Sequence, residues 1–204
     1  MSIRPLSIAT HRVLRTNAAP VERFDSSLRD LVRDMIETMH AHRGIGLAAP
    51  QIGSSLQLFV VNPSSKPGAE RVVINPVIER ASGQAAILEG CLSLPEVWQR
   101  VARRAALRVR GVDERGKRLV IQAKGLLAIA LQHEIDHLQG RLIIDHPPAD
   151  AELPTPALAW SPTGKPVALP STLRMGPPRS GASRPPACWS TTDVPHVWGT
   201  MAGS

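Results

Sequence analysis

The chain contains one stretch that decides both its architecture and its chemistry, GLLAIALQHEIDHLQG at residues 125–140. Its apolar side chains recur at helical spacing and Gly140 closes the pattern, which predicts an amphipathic helix over Leu126–Gln139. Residues four apart lie one above the other on a helix, so His133 and His137 can reach one metal ion. Glu134 follows the first of these histidines, where its carboxylate can accept a proton from a metal-activated water.

A catalytic metal site also needs a third protein ligand and an open fourth position. Ile143 occupies the downstream position at which many metallopeptidases carry a third histidine, and His146 comes three residues later, next to Pro147. Cys91, within EGCLS at residues 89–93, is the better candidate, because its thiolate can bind a metal that Gly90 lets the backbone approach. A cysteine considered alone is more often a small buried hydrophobe, and that interpretation stays open at this point.

A third segment, GIGLAAPQ at residues 44–51, combines small residues with a glutamine. It lacks the Gly-Lys-Ser/Thr ending of a phosphate loop and follows a predicted helix rather than a strand, which argues against phosphate binding. Beside a hydrolytic metal site, the amide of Gln51 could instead donate a hydrogen bond to a developing oxyanion.

The remaining pattern predicts the fold class. Apolar residues at helical spacing after Asp25 indicate an N-terminal amphipathic helix over Ser26–His42. Four short runs read as strands: Leu56–Val61, Arg71–Ile78, Ala106–Val112 and Lys117–Ala123. Asp113 to Gly116 links the last two as a hairpin. This order favours an α+β fold, with mainly antiparallel sheets packed around the C-terminal metal-binding helix.

Length and composition exclude several classes of protein. The 204 residues are 43% hydrophobic, enough for one domain with a proper core, and no apolar run is long enough to span a membrane. The N-terminus does not resemble a secretory signal. Cys91 and Cys188 lie far apart, so we expect no disulfide framework and a reduced, cytoplasmic setting.

The formal net charge of +7 does not by itself predict a nucleic-acid binder. Twenty of the 24 basic residues are Arg, and the densest basic stretch, Arg100–Arg118, is interleaved with Val, Ala and Leu at strand spacing. This arrangement favours a solvated strand face. With no Tyr and two Phe, stacking platforms for single strands are scarce, and we expect no sequence-specific nucleic-acid binding.

The composition changes after about residue 146. Residues 151–204 hold ten prolines and six charges and show no lasting apolar periodicity. We therefore expect a catalytic domain over residues 1–146 and a Pro-rich, disordered tail over residues 147–204. Trp160, Trp189 and Trp198 could pack on the domain or bind a partner, but a tail that is not selected for structure is favoured.

These three motifs, in this order, resemble the signature motifs of the peptide deformylase family. The resemblance runs from about Ile8 to Asp145 and includes Asn75-Pro76. The family removes the N-formyl group from the initiator methionine of newly made proteins and releases formate. The resemblance therefore implies a metal-dependent hydrolase of the bacterial cytoplasm, a monomer that meets formylated N-termini of nascent peptides and contacts the ribosome transiently.

The resemblance also assigns roles to individual residues. Cys91, His133 and His137 would bind the metal, Fe²⁺ in the cell, although Zn²⁺, Ni²⁺ or Co²⁺ suits the same ligands. The metal-bound water would attack the formyl carbon with Glu134 as general base. The oxyanion would be held by Gln51 and the backbone N–H of Leu92. The methionine side chain would enter a pocket formed by Ile45, Ile87, Leu126, Ile129 and His133, and the substrate backbone would pair with Gly46 and the segment around Glu89.

Two departures from the family pattern concern regions outside the motifs. Trp98 and Gln99 stand where family members often carry Arg or Gly, at the outer rim of the substrate groove. His146-Pro147-Pro148 stops any helix, so the charged C-terminal helix with which some members dock on the ribosome is not expected.

Two rival functions remain at this stage. A metallopeptidase could use the same helix, although the downstream ligand is missing. A binding protein could retain the fold and use its tail for a partner, although the intact catalytic set argues against it. The sequence favours the deformylase over both.

Overall fold

The computed structural model describes residues 2–64 and 66–149, so residues 150–204 of the predicted tail, with Cys188 and the three tail tryptophans, lie outside the described residues. The helices and strands in the described part follow in chain order. They are α1 (Ser26–Ala41), β1 (Gly46–Ala48), β2 (Leu58–Val61), β3 (Arg71–Ser82), β4 (Ala85–Cys91), β5 (Leu94–Arg103), β6 (Ala106–Val112), β7 (Arg118–Lys124) and α2 (Gly125–Leu138).

The strands form two antiparallel sheets, which confirms the predicted α+β class. One sheet has five strands in the order β1-β2-β3-β6-β7, and β4 pairs with β5 in a separate hairpin. The predicted hairpin between β6 and β7 is present, with Asp113 N–H donating to the Lys117 carbonyl at its turn. Both predicted helices are also present, and each ends within about one residue of its expected boundary.

The two helices cover opposite faces of the five-stranded sheet. Strand β2 shows this division, because its successive side chains point to opposite faces. Leu58 and Val60 pack with α1, whereas Phe59 and Val61 pack with α2. Since β2 is buried on both faces, it is apolar throughout and lacks the polar alternation of a one-sided strand.

Three strands were not predicted from the sequence. Strand β1 has only three residues, and small residues dominate it and β4. Strand β5 contains Pro95 and charged residues, which are depleted in strands. Strand β3 also continues four residues beyond its predicted end at Ile78, and its pairing with β6 has one irregularity before that point and one directly after it.

The end of α2 packs directly on the N-terminal segment. Gly140 has a φ of 68°, and a Cβ on it would lie 2.8 Å from the backbone of Arg15 and Thr16. Glycine is required there both by the positive φ and by the close approach. Beyond the predicted domain boundary at 146, the chain still contacts β5, because the Ala149 N–H donates to the Arg100 carbonyl. Among residues 2–64 and 66–149, no helix is long and apolar enough to cross a membrane.

A buried carboxylate on α1 fastens the N-terminal arm. The side chain of Asp34 accepts hydrogen bonds from the Ser2 N–H at 3.2 Å and from Arg4 Nε at 2.8 Å. Thr38, one turn later, accepts from the Arg4 N–H at 2.9 Å. The hydrogen bond from Arg4 lowers the pKa of Asp34, although burial opposes this shift.

We predict that Asp34→Asn destabilises the protein more at neutral pH than in acid. A carboxyl whose pKa is lowered in the folded state stabilises the fold above its unfolded pKa and loses that contribution as the pH falls through the folded value. The Tm difference between wild type and Asp34→Asn should therefore be largest near pH 7 and shrink towards pH 3. Asp30→Asn, an exposed carboxylate on the same helix, is the control and should change Tm little at either pH. A constant Tm difference for Asp34→Asn would contradict the assignment.

Candidate metal centre

Three potential metal ligands from two distant parts of the chain meet at one point. Cys91 ends β4, and His133 and His137 lie one turn apart on α2. One ligand atom from each of the three residues lies within 4.8 Å of the others. Cys91 Sγ is 3.3 Å from His137 Nε2, and the imidazole rings meet edge to face with centroids 5.0 Å apart. A thiolate and two imidazoles are a donor set that divalent transition metals accept.

Glu89 fixes the orientation of one of these ligands. Its Oε2 lies 2.9 Å from His133 Nδ1, which leaves Nε2 of the same ring for a metal. Burial opposes ionisation of Glu89, but hydrogen bonds from Arg103 and His133 lower its pKa to about 2. The sequence assigned Glu89 to substrate pairing only, and its carboxylate is a further part of the site that the motif did not reveal.

A buried arginine connects the hairpin that carries Cys91 to the helix that carries the histidines. Arg103 on β5 holds Glu89 through two hydrogen bonds, Nε to Oε1 at 2.7 Å and Nη2 to Oε2 at 2.9 Å. Its Nη1 donates to Asp136 Oδ2 on α2 at 2.5 Å. The arginine side chain is only 3% exposed. His146 Nε2, at the end of the domain, lies 2.7 Å from the same Asp136 oxygen.

The candidate general base lies against the edge strand β1. Glu134 is buried, and its Oε2 has no hydrogen-bond partner among the described residues. Gly46 makes this position possible, because a Cβ there would lie 2.1 Å from Glu134 Oε1. Burial raises the pKa of Glu134 to about 7. A buried carboxylate oxygen without a partner, next to three metal ligands, is consistent with a site that receives water or substrate.

Gln51 is held with its amide N–H₂ facing the ligands. Its Oε1 accepts from the Ala48 N–H at 2.8 Å, which fixes which end of the amide points inward. Its Nε2 donates to Ser93 Oγ at 3.3 Å and lies 3.8 Å from Cys91 Sγ. Ser93 is fully buried and was not predicted as part of the site.

The residues predicted to bind substrate lie around two unpaired strand edges. Within the described residues, β1 pairs only with β2 and β4 pairs only with β5. Gly46 lies on β1 and follows Ile45, whereas Ile87 and Glu89 lie on β4. Leu126 and Ile129 lie in the first turns of α2, and Leu92 directly follows Cys91. Ile129 is buried, and Ile45, Ile87 and Leu126 are partly exposed.

Arg103 and Asp136 are residues beside the ligands that the sequence analysis missed, and His146, which it considered only as a third ligand, contacts Asp136 instead. Arg103 lies in a run of basic residues and had no distinguishing signal. Asp136 lies inside the histidine motif, and its position beside His137 was the one available hint. Trp98, noted at the groove rim, packs on Gly90, where a Cβ would lie 2.9 Å from the indole ring.

Comparisons with known proteins agree with this geometry. The sequence model of the polypeptide deformylase family matches residues 3–151. A peptide deformylase from Desulfosudis oleivorans is 49% identical over 136 residues, covering 65% of this chain and 79% of the relative. One from Rhizobium meliloti is 47% identical over 150 residues, covering 72% and 86%. The crystal structure of a peptide deformylase from Legionella pneumophila aligns with a TM-score of 0.70 at 43% identity, covering 72% of this chain and 86% of that one.

We predict that Arg103→Met lowers the free energy of unfolding by about 3–5 kcal/mol, because the buried carboxylate of Glu89 then keeps only its contact with His133. Asp136 keeps His146 and the exposed Arg141. Arg33→Met, which removes an exposed arginine paired with Asp30 on α1, should change it by no more than about 0.5 kcal/mol. Chemical denaturation of both variants measures the difference. Equal effects would show that the buried contacts of Arg103 contribute nothing beyond those of a surface arginine.

Proposed function

The chain belongs to the peptide deformylase family, and from that premise we propose how its own residues perform the reaction. Members are metal-dependent hydrolases that remove the N-formyl group from nascent peptides. In the reaction the C–N bond of the formamide breaks, water supplies an oxygen to the formyl carbon, and the products are formate and a free amine. The observation that carries the assignment of residues is the meeting of Cys91, His133 and His137 beside Glu134.

We propose that Cys91, His133 and His137 hold one divalent ion, with Fe²⁺ as the native metal. The donor set fits, because Glu89 occupies His133 Nδ1 and the remaining imidazole and thiol atoms converge. Zn²⁺, Ni²⁺ and Co²⁺ suit the same three ligands. When bound, the ion supplies Lewis acidity, which polarises the formyl carbonyl and acidifies water.

Glu134 is assigned as general base and acid. Its Oε2 is buried and has no partner among the described residues, so this oxygen is available to take a proton from the attacking water. The same atom would then return the proton to the departing amine. Contact with Gly46 holds the carboxylate beside β1, along which we place the substrate.

Gln51 and the backbone N–H of Leu92 are assigned as donors to the oxyanion. Because Ala48 fixes Gln51 Oε1, the amide can present only Nε2 to the reacting carbonyl. Nε2 donates to Ser93 Oγ at 3.3 Å and makes a longer contact with Cys91 Sγ at 3.8 Å, and we propose that the N–H directed to the sulfur turns to the oxyanion.

The formylated peptide is proposed to bind as an extended strand between the free edges of β1 and β4. Its backbone would pair with Gly46 on one side and with the segment at Glu89 on the other. The methionine side chain would enter the apolar pocket described above, beside His133. We further propose that the protein acts as a monomer in the bacterial cytoplasm and contacts the ribosome transiently.

We predict that Glu134→Gln retains the metal and loses activity. The amide keeps the shape of the side chain but cannot accept a proton, so kcat/KM for formyl-Met-Ala-Ser should fall by about 10²–10⁴-fold. Formate release from protein loaded anaerobically with Fe²⁺ or Ni²⁺ measures the rate, and metal analysis measures the stoichiometry. Exposed Glu22→Gln is the matched control. Full activity in metal-loaded Glu134→Gln would remove Glu134 as the base, and cleavage of unformylated Met-Ala-Ser would favour the metallopeptidase.

We also predict that Gly46→Ala reduces kcat by about 10²-fold, because the new Cβ displaces the Glu134 carboxylate. Gly44→Ala is the control, since the three atoms nearest to its Cβ, at 3.0–3.5 Å, belong to Leu92, Gly46 and Met39 and not to Glu134. Both variants should bind metal stoichiometrically. Similar kcat values for the two would mean that the Gly46 contact does not position the base.

A further inference from the structure

One part of the five-stranded sheet is covered by neither helix. Helix α1 packs over β1, β2 and the start of β3, and its cluster reaches Val112 at the end of β6. Successive side chains of β6 point to opposite faces of the sheet. Arg108 and Arg110 therefore share a face with Val112, while Leu107 and Val109 face α2. The sheet face beyond α1 is therefore open to solvent at β3, β6 and β7.

The register defines which side chains share this surface, which we call the basic face. Arg110 is opposite Val77 on β3 and Val120 on β7, and Arg108 is opposite Arg80 and Gln122. In the same way Arg118 is opposite Val112, and Lys124 is opposite Ala106. The basic face thus contains the cations Arg80, Arg108, Arg110, Arg118 and Lys124, all of them exposed.

Among the described residues, one acidic side chain pairs with cations on this face. Glu79 lies 2.9 Å from Arg108 Nε and 3.4 Å from Arg110 Nε. Arg80, Arg118 and Lys124 have no carboxylate within 4.0 Å anywhere in the described part of the chain. The basic face therefore presents an excess of positive charge that no described residue neutralises.

Two features of the basic face go beyond a solvated strand surface. Arg80 and Arg108 are direct cross-strand partners, and like charges in that arrangement destabilise a sheet. Glu79 pairs with Arg108 but not with Arg80, so a further anion at Arg80 would reduce the repulsion that remains. Arg108 and Arg110 are also two residues apart on one strand, which spaces them by about 7 Å, suited to successive charges of an extended polyanion.

We propose that the basic face binds the phosphate backbone of RNA without reading its sequence. Arginine matches phosphate through paired hydrogen bonds, and four of the five cations are arginines. The apolar side chains on the face, Val77 and Val120, lie singly on either side of Arg110 and are too few to insert into a lipid surface. RNA therefore fits the face better than a membrane does.

The position of the basic face allows RNA and substrate to bind together. The metal centre is built on α2 and the β4–β5 hairpin, and α2 covers the opposite face of the sheet. This inference deepens the ribosome contact proposed above, because it identifies RNA as the component that the enzyme touches. It also leaves the peptide site free during that contact.

The test uses the full chain and a labelled 20-nucleotide single-stranded RNA, with binding followed by fluorescence anisotropy over a salt series. The variant Arg80→Ser/Arg118→Ser/Lys124→Ser should weaken binding at least tenfold at low salt. Loss of three phosphate contacts should make the negative slope of log K against log salt concentration shallower by about 2. Glu79→Gln, which removes the opposing anion, should strengthen binding.

The matched control is Arg12→Ser/Arg23→Ser/Lys66→Ser, which makes the same change in net charge at exposed positions away from the basic face. An equal loss of affinity in both triple variants would overturn the proposal, because net charge alone would then explain binding. Binding to anionic lipid vesicles that depends on the basic face, with no binding to RNA, would overturn it in favour of a membrane. Formate release from formyl-Met-Ala-Ser should be unchanged in the basic-face variant, so failure of RNA binding is distinguishable from failure of the catalytic assignment.

Discussion

The architecture of the site depends on one buried cation. Arg103 lies between Glu89 on β4 and Asp136 on α2, and together with the contact between Glu89 and His133 it ties the separate β4–β5 hairpin to the helix. Glu89 then orients His133, and the hairpin places Cys91 beside both histidines. A buried ion pair of this kind is weak evidence for stability, because desolvation offsets much of the attraction. Its effect here is geometric, since it selects one docking of the hairpin on α2.

Close backbone approach is the second constraint on the site. Gly46 allows an edge strand to lie against the Glu134 carboxylate, and Gly140 allows the end of α2 to pack on the N-terminal segment. Both contacts set where α2 lies against the rest of the fold. The neighbouring atoms therefore explain why these two positions hold glycine. The close packing that glycine permits offsets its low propensity for strands and helices.

The sequence predicted an element correctly where the residues that determine that element lie within one helix or one hairpin. Both helices and the β6–β7 hairpin follow from local periodicity and turn residues, and the structure confirms these elements. The spacing of His133 and His137 on α2 is read from the same local pattern. Strands β1, β4 and β5 were missed because they are short, small-residue-rich or polar, and their pairing is determined by tertiary contacts. Arg103 and Ser93 could not be identified for a similar reason. Their partners lie on other elements, Arg103 with Asp136 and Ser93 with Gln51. Arg103 belongs to no recognisable pattern, and the EGCLS motif that contains Ser93 does not reveal what its hydroxyl contacts.

The separation of the ligands along the chain has a consequence for the order of events during synthesis. Cys91 meets its two partner ligands on α2, and Arg103 pairs with Asp136 on the same helix. A chain that ends before His137 can therefore not assemble the three ligands. Metal insertion is therefore a late step that follows folding of nearly the whole catalytic domain. A chain whose synthesis has stopped before His137 holds at most two of the three potential ligands, Cys91 and His133.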